Sequence, residues 1–469
     1  MSAIDLSCLD SSVPSGARTI CRVLTEAGKR GWVVGGCVRD VLMGSLVPDA
    51  PNKVPGDWDI ATDARPEEVT RLFRKVIPTG IQHGTVTVLI SGEPYEVTTL
   101  RAEAEYTDGR RPDTVNFVDD IAADLARRDF TVNAVAYDLV RGQLIDPFGG
   151  LDDLRGKRLR AVGDARERFA EDGLRVLRAA RFVATLEFEL EERTRAAISP
   201  SLDSFRKVSA ERVREEWLKV MRARTPSRAF EVMKNEGLLT ITAPELMESV
   251  GCEQNRFHSY DVWGHSLACL DACPASPVLR MAGLLHDVGK PRSREFNDKT
   301  RDYTFYNHER IGADMAKPML ERLKFSNVER DHIVGLVRHH LICYDEDWSD
   351  AAVRRWLRRV TPELAEDLYS LGRADALGKG PNKEPAQDVA RIDQLKARVE
   401  ALVAAGAAVS VRDLAISGHD LIQAVGLAPG PIIGDTLAQL LDEVTETPEL
   451  NERERLLTRA RELVQARTR

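Results

Sequence analysis

The stretch 31–62 constrains the fold more than any other segment of the sequence. Residues 32–34 form a short apolar run, which predicts a buried strand that ends at the Gly35-Gly36 pair. Residues 37–43 then predict a helix of one or two turns. A glycine turn before a helix brings backbone N–H groups close to an anion, and Arg39 adds charged donors in the first turn. Gly36 and Arg39 are therefore predicted to contact a phosphate.

The second half of this stretch carries two aspartates, Asp57 and Asp59, in a segment that predicts a strand over 57–60. Because side chains alternate across a strand, both carboxylates are expected on one face. They repel each other unless a cation lies between them, and oxygen ligands suit Mg²⁺. A phosphate site beside a Mg²⁺ site is what nucleotidyl transfer from a triphosphate requires. Either half alone is a weak signal, since an isolated Gly-Gly is usually a turn and an isolated Asp-x-Asp usually a solvated strand end.

Composition limits the class of protein. A length of 469 residues predicts two to four domains, and the helical patterns after residue 150 predict a mixed α/β region followed by α. The net charge of −8 argues against general coating by nucleic acid, so any RNA contact requires local basic surface. Residues 1–12 lack the features of a signal peptide, and no apolar run of 18 residues predicts a membrane span. The seven cysteines form no CxxC pair, which is typical of a reducing cytoplasm.

Taken together, the sequences GGCVRD and DWDIAT resemble the class II tRNA nucleotidyltransferases and bacterial poly(A) polymerases of the polymerase-β-like superfamily. The resemblance implies an α/β nucleotidyltransferase head, a small mixed sheet with helices, followed by an all-α neck, an HD body and a tail. Glu96 lies on a strand predicted over 95–100, and the topology of the superfamily implies a third metal-site carboxylate there. By itself, a strand glutamate that faces water is an equally good interpretation.

Two further segments extend the resemblance. The run LARRDFTVNA matches a signature of the family, which implies that Arg128 contacts the nucleotide. The polar segment 101–117 is too long for a hairpin and lies where CCA-adding enzymes carry a flexible loop that helps to change nucleotide specificity. The segment 46–55 is longer than the family usually carries, and the sequence does not reveal its role.

The run EDGLRVLRAARF resembles the EDxLRxxRxxRF motif of the family. Asp172 and Arg175 are three residues apart, so on a helix they would lie on one face. A carboxylate accepts from the amino group of C or A, and an arginine donates to the adjacent ring acceptor, so the pair can select C and A without a template. A solvent-facing ion pair is the alternative. The resemblance adds Arg178 and Arg181, although ideal helix geometry directs Arg181 nearly opposite Asp172.

The neck is locally basic. Nine Lys/Arg against four Asp/Glu occur over 155–181, and eight against three over 206–228. The second segment predicts a helical surface along a tRNA backbone, where neutralised phosphates supply affinity without reading sequence. A solvated helix face is the alternative interpretation.

A second group of chemically active residues begins in the sequence YDVWGHS and continues in LLHDVGKP. Six of the nine histidines lie between His265 and His340, on segments that predict helices. The H…HD…D series resembles the HD phosphohydrolase superfamily. The resemblance implies four ligands of one metal ion: His265, His286, Asp287 and Asp375.

The same resemblance allows a second ion or a phosphate contact at His308 with either His339 or His340. Imidazoles together with carboxylates suit Mn²⁺, Ni²⁺ or Co²⁺ better than Mg²⁺ alone. Such an ion would polarise a phosphate and lower the pKa of its bound water.

The resemblance implies a cytoplasmic enzyme that adds CCA to the 3′ end of tRNA from CTP and ATP, with Mg²⁺ in the head. The domains are predicted at 15–150 (head), 151–250 (neck), 251–380 (HD) and 386–469 (tail). An enzyme that adds only A and a poly(A) polymerase remain alternatives. Other classes are an HD phosphohydrolase whose head only binds RNA and a non-enzymatic tRNA-binding scaffold. The oligomeric state does not follow from the sequence.

Overall fold

The computed structural model describes residues 6–47, 55–102, 116–381 and 383–468. Its chain forms two compact units, Met1–Thr242 and Ala243–Arg469. The predicted division into four domains stays a prediction. Most of the segments 46–55 and 101–117 lies outside the described residues.

The first unit contains a mixed sheet. Its strands are β1 Gly31–Val34, β2 Asp59–Thr62, β3 Val76–Gly80, β4 Thr85–Ile90, β5 Glu93–Thr99, β6 Arg101–Ala102, β7 Asn116–Phe117, β8 Ala136–Asp138, β9 Gln143–Ile145, β10 Arg158–Leu159 and β11 Glu189–Leu190. Seven of them pair in the order β3-β4-β5-β2-β1-β8-β9, and only β2 and β5 run parallel. The predicted α/β head is confirmed.

Helices surround this sheet and form the neck after it. The helices of the first unit are α1 Ser7–Ser12, α2 Ser15–Glu26, α3 Gly36–Leu46, α4 Pro66–Leu72, α5 Ile121–Ala126, α6 Gly150–Arg155, α7 Ala165–Glu171, α8 Leu174–Leu186, α9 Glu192–Ala196, α10 Leu202–Phe205, α11 Ala210–Val220, α12 Ser227–Asn235 and α13 Leu238–Thr242. A parallel pair, β10 with β11, connects the chain before α7 to the chain after α8.

Strand register brings distant residues to one edge of the sheet. Val34 pairs with Asp59 across the antiparallel β1–β2 ladder, so the glycine turn after β1 lies beside the start of β2. Ile60 pairs with Val97 across the parallel β2–β5 ladder, which places Asp59 next to Glu96. The core behind this edge is apolar and includes Trp32, Ala61, Leu100, Leu125 and Ala134.

Two local expectations were wrong. The helix after the glycine turn does not end at Gly44 but runs to Leu46, because its buried residues, such as Leu42, hold it in place and a helical glycine costs only about 1 kcal/mol. Strand β2 begins at Asp59, so Asp57 precedes the ladder. Even so, Asp57 and Asp59 are exposed while Trp58 and Ile60 are buried, as the alternation predicts.

The second unit is helical apart from one hairpin. Its helices are α14 Pro244–Met247, α15 Val262–Ala272, α16 Pro277–Leu285, α17 Lys290–Ser293, α18 His308–Arg322, α19 Asn327–His339, α20 Asp350–Val360, α21 Pro362–Gly378, α22 Pro385–Ala404, α23 Gly418–Asp420, α24 Pro431–Glu446 and α25 Arg453–Thr468. The hairpin, β12 Glu295–Asn297 with β13 Asp302–Thr304, was not predicted. None of the helices in the described ranges combines the length and the apolar character that crossing a membrane requires.

Candidate active sites

The glycine turn between β1 and α3 depends on the absence of a side chain. Gly35 has φ of +80°, and a Cβ there would lie 2.6 Å from Nη1 of Arg128. Any other residue would therefore strain the turn and displace an arginine that the sequence predicts as a nucleotide contact. Helix α3 begins at Gly36, so its N-terminal N–H groups follow the turn directly.

Arg39 is held in the first turn of α3 by polar partners. Its guanidinium lies 2.6 Å from Oδ1 of Asp40, and Nη1 donates to Oδ1 of Asn133. Its Cζ lies 5.3 Å from the ring centroid of Phe182. Because these contacts immobilise a buried arginine, its position is set before any ligand binds.

The predicted carboxylates Asp57, Asp59 and Glu96 lie at one edge of the sheet. Partial desolvation, opposed by the charge of Arg128, raises the pKa of Asp59 even though its side chain is exposed, and the charges of Glu96 and Asp57 raise it further. Among the described residues, however, the clusters whose donor atoms lie within 4.8 Å of one another are all in the second unit. A divalent cation bound at this edge would neutralise the repulsion between the head carboxylates.

The first unit contains a cavity of about 650 Å³ beside the glycine turn. Its lining includes every predicted nucleotide contact and the two aspartates Asp57 and Asp59. The predicted residues that line it are Gly36, Arg39, Asp57, Asp59, Arg128, Asp172, Arg175, Arg178 and Arg181. Glu96 is not among the lining residues.

Asp172 lies outside the helix on which it was predicted. It is the first of the two residues between α7 and α8, with extended backbone angles of φ −141° and ψ 105°. Its Oδ1 accepts from the backbone N–H of Leu174 at 3.0 Å. Both oxygens accept from Arg212, Nη1–Oδ1 at 3.1 Å and Nη2–Oδ2 at 2.6 Å. The predicted i,i+3 geometry of Asp172 and Arg175 is therefore wrong, although both line the cavity.

Arg175 is oriented by the chain around it. Its Nη1 donates to the carbonyl of Arg168 at 3.0 Å and to Glu171, and Nη2 donates to the carbonyl of Arg127 at 2.8 Å. Since these contacts use three of the five guanidinium hydrogens, Nε–H and one Nη2 hydrogen remain for a ligand.

Two buried carboxylates position the remaining arginines. Burial alone would raise the pKa of Asp129, but Arg178 and Asn133 hold it well below its ordinary value. Nε of Arg178 donates to Asp129 at 2.8 Å, and Nε of Arg181 donates to Glu216. Arg181 therefore lines the same cavity as Asp172, contrary to the ideal-helix estimate, because Asp172 is not part of α8.

The second unit brings the four predicted HD residues together. Nε2 of His265 lies 3.1 Å from Nε2 of His286, 3.3 Å from Oδ2 of Asp287 and 3.0 Å from Oδ1 of Asp375. Helix α15 carries His265, the His286-Asp287 pair directly follows α16, and α21 carries Asp375. The convergence of these donors is as the resemblance implied.

A second group shares Asp287 through its other oxygen. Oδ1 of Asp287 lies 3.3 Å from Nε2 of His308 and 3.7 Å from Nε2 of His340. The two imidazole nitrogens are 3.3 Å apart. The structure thus brings His340 rather than His339 to His308, and one carboxylate faces both groups.

Backbone carbonyls orient all four imidazoles. Nδ1 contacts the carbonyl of Gly378 in His265, and the carbonyl three residues earlier in each of the other histidines. A carbonyl can only accept, so in each ring Nδ1 carries the hydrogen, and Nε2 of the neutral imidazole presents its lone pair. When the rings are neutral, these lone pairs face each other at 3.1 and 3.3 Å beside carboxylates and repel, and a proton or a metal cation between them removes that repulsion. The residues present therefore fit metal ions.

The pKa values of the histidines in the two groups shift in opposite directions. Burial opposes the charged imidazolium, but Asp287 and Asp375 raise the pKa of His265 to about 9. Burial and the neighbouring His286 lower the pKa of His340 to about 3. Binding of a metal ion at His265 must therefore displace a proton, whereas His340 is already neutral.

Three family models match the chain. The poly(A) polymerase head domain matches residues 31–160, the probable RNA- and SrmB-binding site of polymerase A matches 187–249, and the HD domain matches 258–398. A CCA-adding enzyme of Lactobacillus helveticus is 48% identical over 216 residues, which are 46% of this chain and 52% of that protein. The chain therefore spans about half the length of the first curated relatives it matches.

A second relative decides the family. A CCA-adding enzyme of Lactiplantibacillus plantarum is 32% identical over 448 residues, which cover 95% of each chain. The chain belongs to the CCA-adding enzyme family. A solved structure of this family, the Bacillus stearothermophilus CCA-adding enzyme in complex with CTP, is 30% identical with a TM-score of 0.71. The superposition covers 96% of this chain and 98% of that one.

Sequence reasoning missed several residues of both sites. Asn133 and Asp129 lie within the matched LARRDFTVNA run, where their part in holding Arg39 and Arg178 could have been suspected. No local signal linked Arg212 to Asp172, since 40 residues separate them. Likewise, His258 joins His265 and Asp287 in a group of possible metal ligands although it precedes α15.

Proposed function

We propose that the chain adds C and A to the 3′ end of tRNA from CTP and ATP, without a template, and releases pyrophosphate. One observation carries this proposal: a single cavity holds the glycine turn, the acidic edge and the Asp172/Arg175 pair. The names of the relatives and the CTP bound to a structure that is 30% identical support it. The cellular compartment of such an enzyme would be the cytoplasm.

The chain's residues divide into three roles. Asp57 and Asp59, with Glu96 beside them, would hold Mg²⁺, which neutralises the phosphates and activates the 3′-hydroxyl of the tRNA. The N-terminus of α3 at Gly36, together with Arg39 and Arg128, would bind the triphosphate. The 3′-oxygen would then bond to the α-phosphorus, the proton of the hydroxyl would pass to solvent, and the bond between the α-phosphorus and pyrophosphate would break.

Base selection would depend on the hydrogen-bond acceptor position that the neighbours of Asp172 leave unoccupied on its carboxylate. A carboxylate has about four acceptor positions, and Arg212 and the N–H of Leu174 occupy three of them. The remaining position, on Oδ2, can accept from the amino group of C or A. Arg175 would donate to the adjacent ring acceptor through its remaining hydrogens. Because U and G present a carbonyl at the amino position, the same carboxylate would repel them.

The decisive test of the head is incubation of the full chain with tRNAs that end at the discriminator base, at C or at CC. Each of the four triphosphates is offered separately. We expect CTP to extend the first two substrates and ATP to extend only the third. Extension of the third substrate alone would establish an A-adding enzyme, and processive addition of A would establish a poly(A) polymerase. Absence of transfer to any of them would overturn the proposal.

For the second unit we propose a metal-dependent phosphohydrolase that acts on 2′,3′-cyclic or terminal phosphates of RNA. The supporting observation is Asp287, whose two oxygens face two groups of histidines. Mn²⁺, Ni²⁺ or Co²⁺ suits these ligands. A water oxygen would bond to phosphorus, one ribose P–O bond would break, and the ribose oxygen would take the proton.

The test of this centre combines metal analysis with hydrolysis of 2′,3′-cyclic AMP in the presence of each transition metal. We expect bound metal and release of a nucleoside monophosphate. Protein that binds no transition metal and hydrolyses no such phosphate would overturn this second function and leave the region as a helical spacer.

A further inference from the structure

Exposed aromatic side chains concentrate around the HD centre. In the ranges that the structure describes, the exposed large aromatic residues are Phe257, Tyr260, Phe296 and Tyr306, all within fifty residues of one another. Tyr306 is 72% exposed and Phe257 is 57% exposed. Single exposed apolar residues are common, but this clustering beside a group of buried histidines is not explained by the packing of the core.

Two of these side chains line the same cavity as the metal-binding groups. The cavity has a volume of about 490 Å³, and its walls include Tyr306, Phe257, His308 and Asp375. A lone phosphate needs only a small part of this space, whereas pockets of 300–1,000 Å³ are typical for larger organic ligands. The cavity therefore extends well beyond the centre that would bind the phosphate.

The backbone holds both aromatic residues close to histidines of the centre. Tyr306 follows the buried Phe305, whose carbonyl contacts Nδ1 of His308 at 2.6 Å. Phe257 immediately precedes His258, whose ring lies 4.8 Å from that of His265. Their positions relative to the centre are thus fixed by residues that the centre itself needs.

Positive charge accompanies the aromatic rings. The guanidinium carbon of Arg256 lies 5.3 Å from the ring centroid of Phe257, and Lys290 and Lys379 also line the cavity. Nζ of Lys290 lies 2.6 Å from Oδ2 of Asp287, whereas the side chain of Arg256 is 72% exposed. Aromatic faces beside cationic groups are the elements that bind unpaired nucleotides through stacking and phosphate contacts.

We propose that Tyr306 and Phe257 form a base-binding subsite, so that the HD centre takes nucleoside phosphates with an unstacked base in preference to phosphate esters without a base. This inference rests on the proposed hydrolase function, whose substrate it narrows. The base would stack on the exposed rings while its phosphate reaches the metal-binding groups. Stacking is tolerant of base identity because every base has a π-face, so little discrimination among the four bases is expected.

The test compares two cyclic phosphodiesters that differ in the base, 2′,3′-cyclic AMP and glycerol 1,2-cyclic phosphate, on the metal-loaded full chain. Wild-type protein should show a KM at least about fivefold lower for the nucleotide, since base stacking contributes on this scale. Tyr306→Ala and Phe257→Ala should raise KM for the nucleotide by a similar factor and leave kcat within about twofold. Neither variant should change the kinetics of the glycerol ester.

Phe296→Ala is the matched control, because Phe296 is 55% exposed on the neighbouring hairpin but does not line the cavity. Equal KM values for the two esters, or an equal effect of Tyr306→Ala on both, would overturn the subsite and leave the hydrolase intact. Hydrolysis of neither ester would overturn the hydrolase. In that case, binding of adenosine 3′-monophosphate to wild type and Tyr306→Ala, measured by calorimetry, decides the subsite separately.

Free mononucleotides and the 3′ end of an RNA both carry a base together with a phosphate, so either could bind at this subsite. A single-stranded oligoribonucleotide that ends in a 2′,3′-cyclic phosphate distinguishes them. A lower KM for the oligonucleotide than for 2′,3′-cyclic AMP would assign the subsite to RNA ends, and an equal KM to free nucleotides. A KM for both that does not respond to Tyr306→Ala would contradict the proposal.

Discussion

Arg212 binds both carboxylate oxygens of Asp172 across 40 residues of sequence, with Nη–O distances of 3.1 and 2.6 Å. Arg212 lies in the first turn of α11, whereas Asp172 precedes α8. The carboxylate that would read the base is therefore oriented by a helix that carries none of the predicted nucleotide contacts. This relationship makes Arg212 a positioning residue for base selection.

Asp172→Ala removes the acceptor for the amino group of C and A. We expect discrimination against U and G to fall by about 1–3 kcal/mol, or roughly ten- to hundred-fold in relative incorporation. Arg212→Ala should weaken discrimination in the same direction, because the carboxylate is then free to rotate. Arg206→Ala, a neighbouring arginine in an exposed pair with Asp203, is the control. An equal loss of rate with all four triphosphates would show that both residues are only structural.

Asp57→Ala and Asp59→Ala should each reduce nucleotide addition by at least roughly a hundredfold, because metal-bound carboxylates contribute several kcal/mol to the transition state. Both side chains are exposed, so the stability of the fold should change little. Primer extension on tRNA measures the rate, and thermal unfolding measures the stability. Asp203→Ala in the neck controls for loss of surface charge. Near wild-type addition by both variants would exclude this edge as the active site.

The two proposed activities should separate by mutation. The double variant His286→Ala with Asp287→Ala should lose hydrolysis of 2′,3′-cyclic AMP and retain CCA addition, because its residues belong to a different compact unit from the head. The adjacent pair of histidines supplies a finer test. His340→Ala should reduce hydrolysis, whereas His339→Ala should not, because only His340 lies near Asp287. Similar effects of the two single variants would contradict the second metal group.

Asp129 should make the first unit sensitive to acid. Its pKa in the folded chain lies well below the ordinary 3.8, so the stabilisation is present above about pH 4 and is lost as the pH falls further. Asp129→Asn leaves Arg178 without a charged partner. Breaking a buried ion pair typically lowers the free energy of unfolding by roughly 3–5 kcal/mol. Because the side chain of Arg178 is 31% exposed, we expect a loss at pH 7 near or below the lower end of that range. Denaturant titration should show that the difference in unfolding free energy between wild type and Asp129→Asn becomes smaller below pH 4. A difference that does not depend on pH would contradict this prediction.

The local parts of the fold followed from the sequence. Apolar runs and glycine turns predict β1, α3 and the strand that carries Glu96, since these signals depend on near neighbours. The resemblance also named the candidate HD ligands one by one. The structure brings His265, His286, Asp287 and Asp375 together, and their role as metal ligands stays a prediction.

The errors concern contacts between distant segments. The helix assigned to Asp172 was wrong because the chain bends at this residue, and the contact that supports the bend comes from Arg212. The choice between His339 and His340 could not be made from the sequence either. It depends on which side of the end of α19 faces α18, and that is a property of helix packing rather than of local pattern.

The pairing of Val34 with Asp59 has a consequence for how this chain can vary. The ladder between β1 and β2 sets the distance from the glycine turn to the acidic edge. This distance therefore does not depend on how many residues connect the two strands. The entropic cost of a longer loop grows only with the logarithm of its length. A change in chain length between α3 and β2 should therefore leave the spacing of the glycine turn and the acidic edge unchanged.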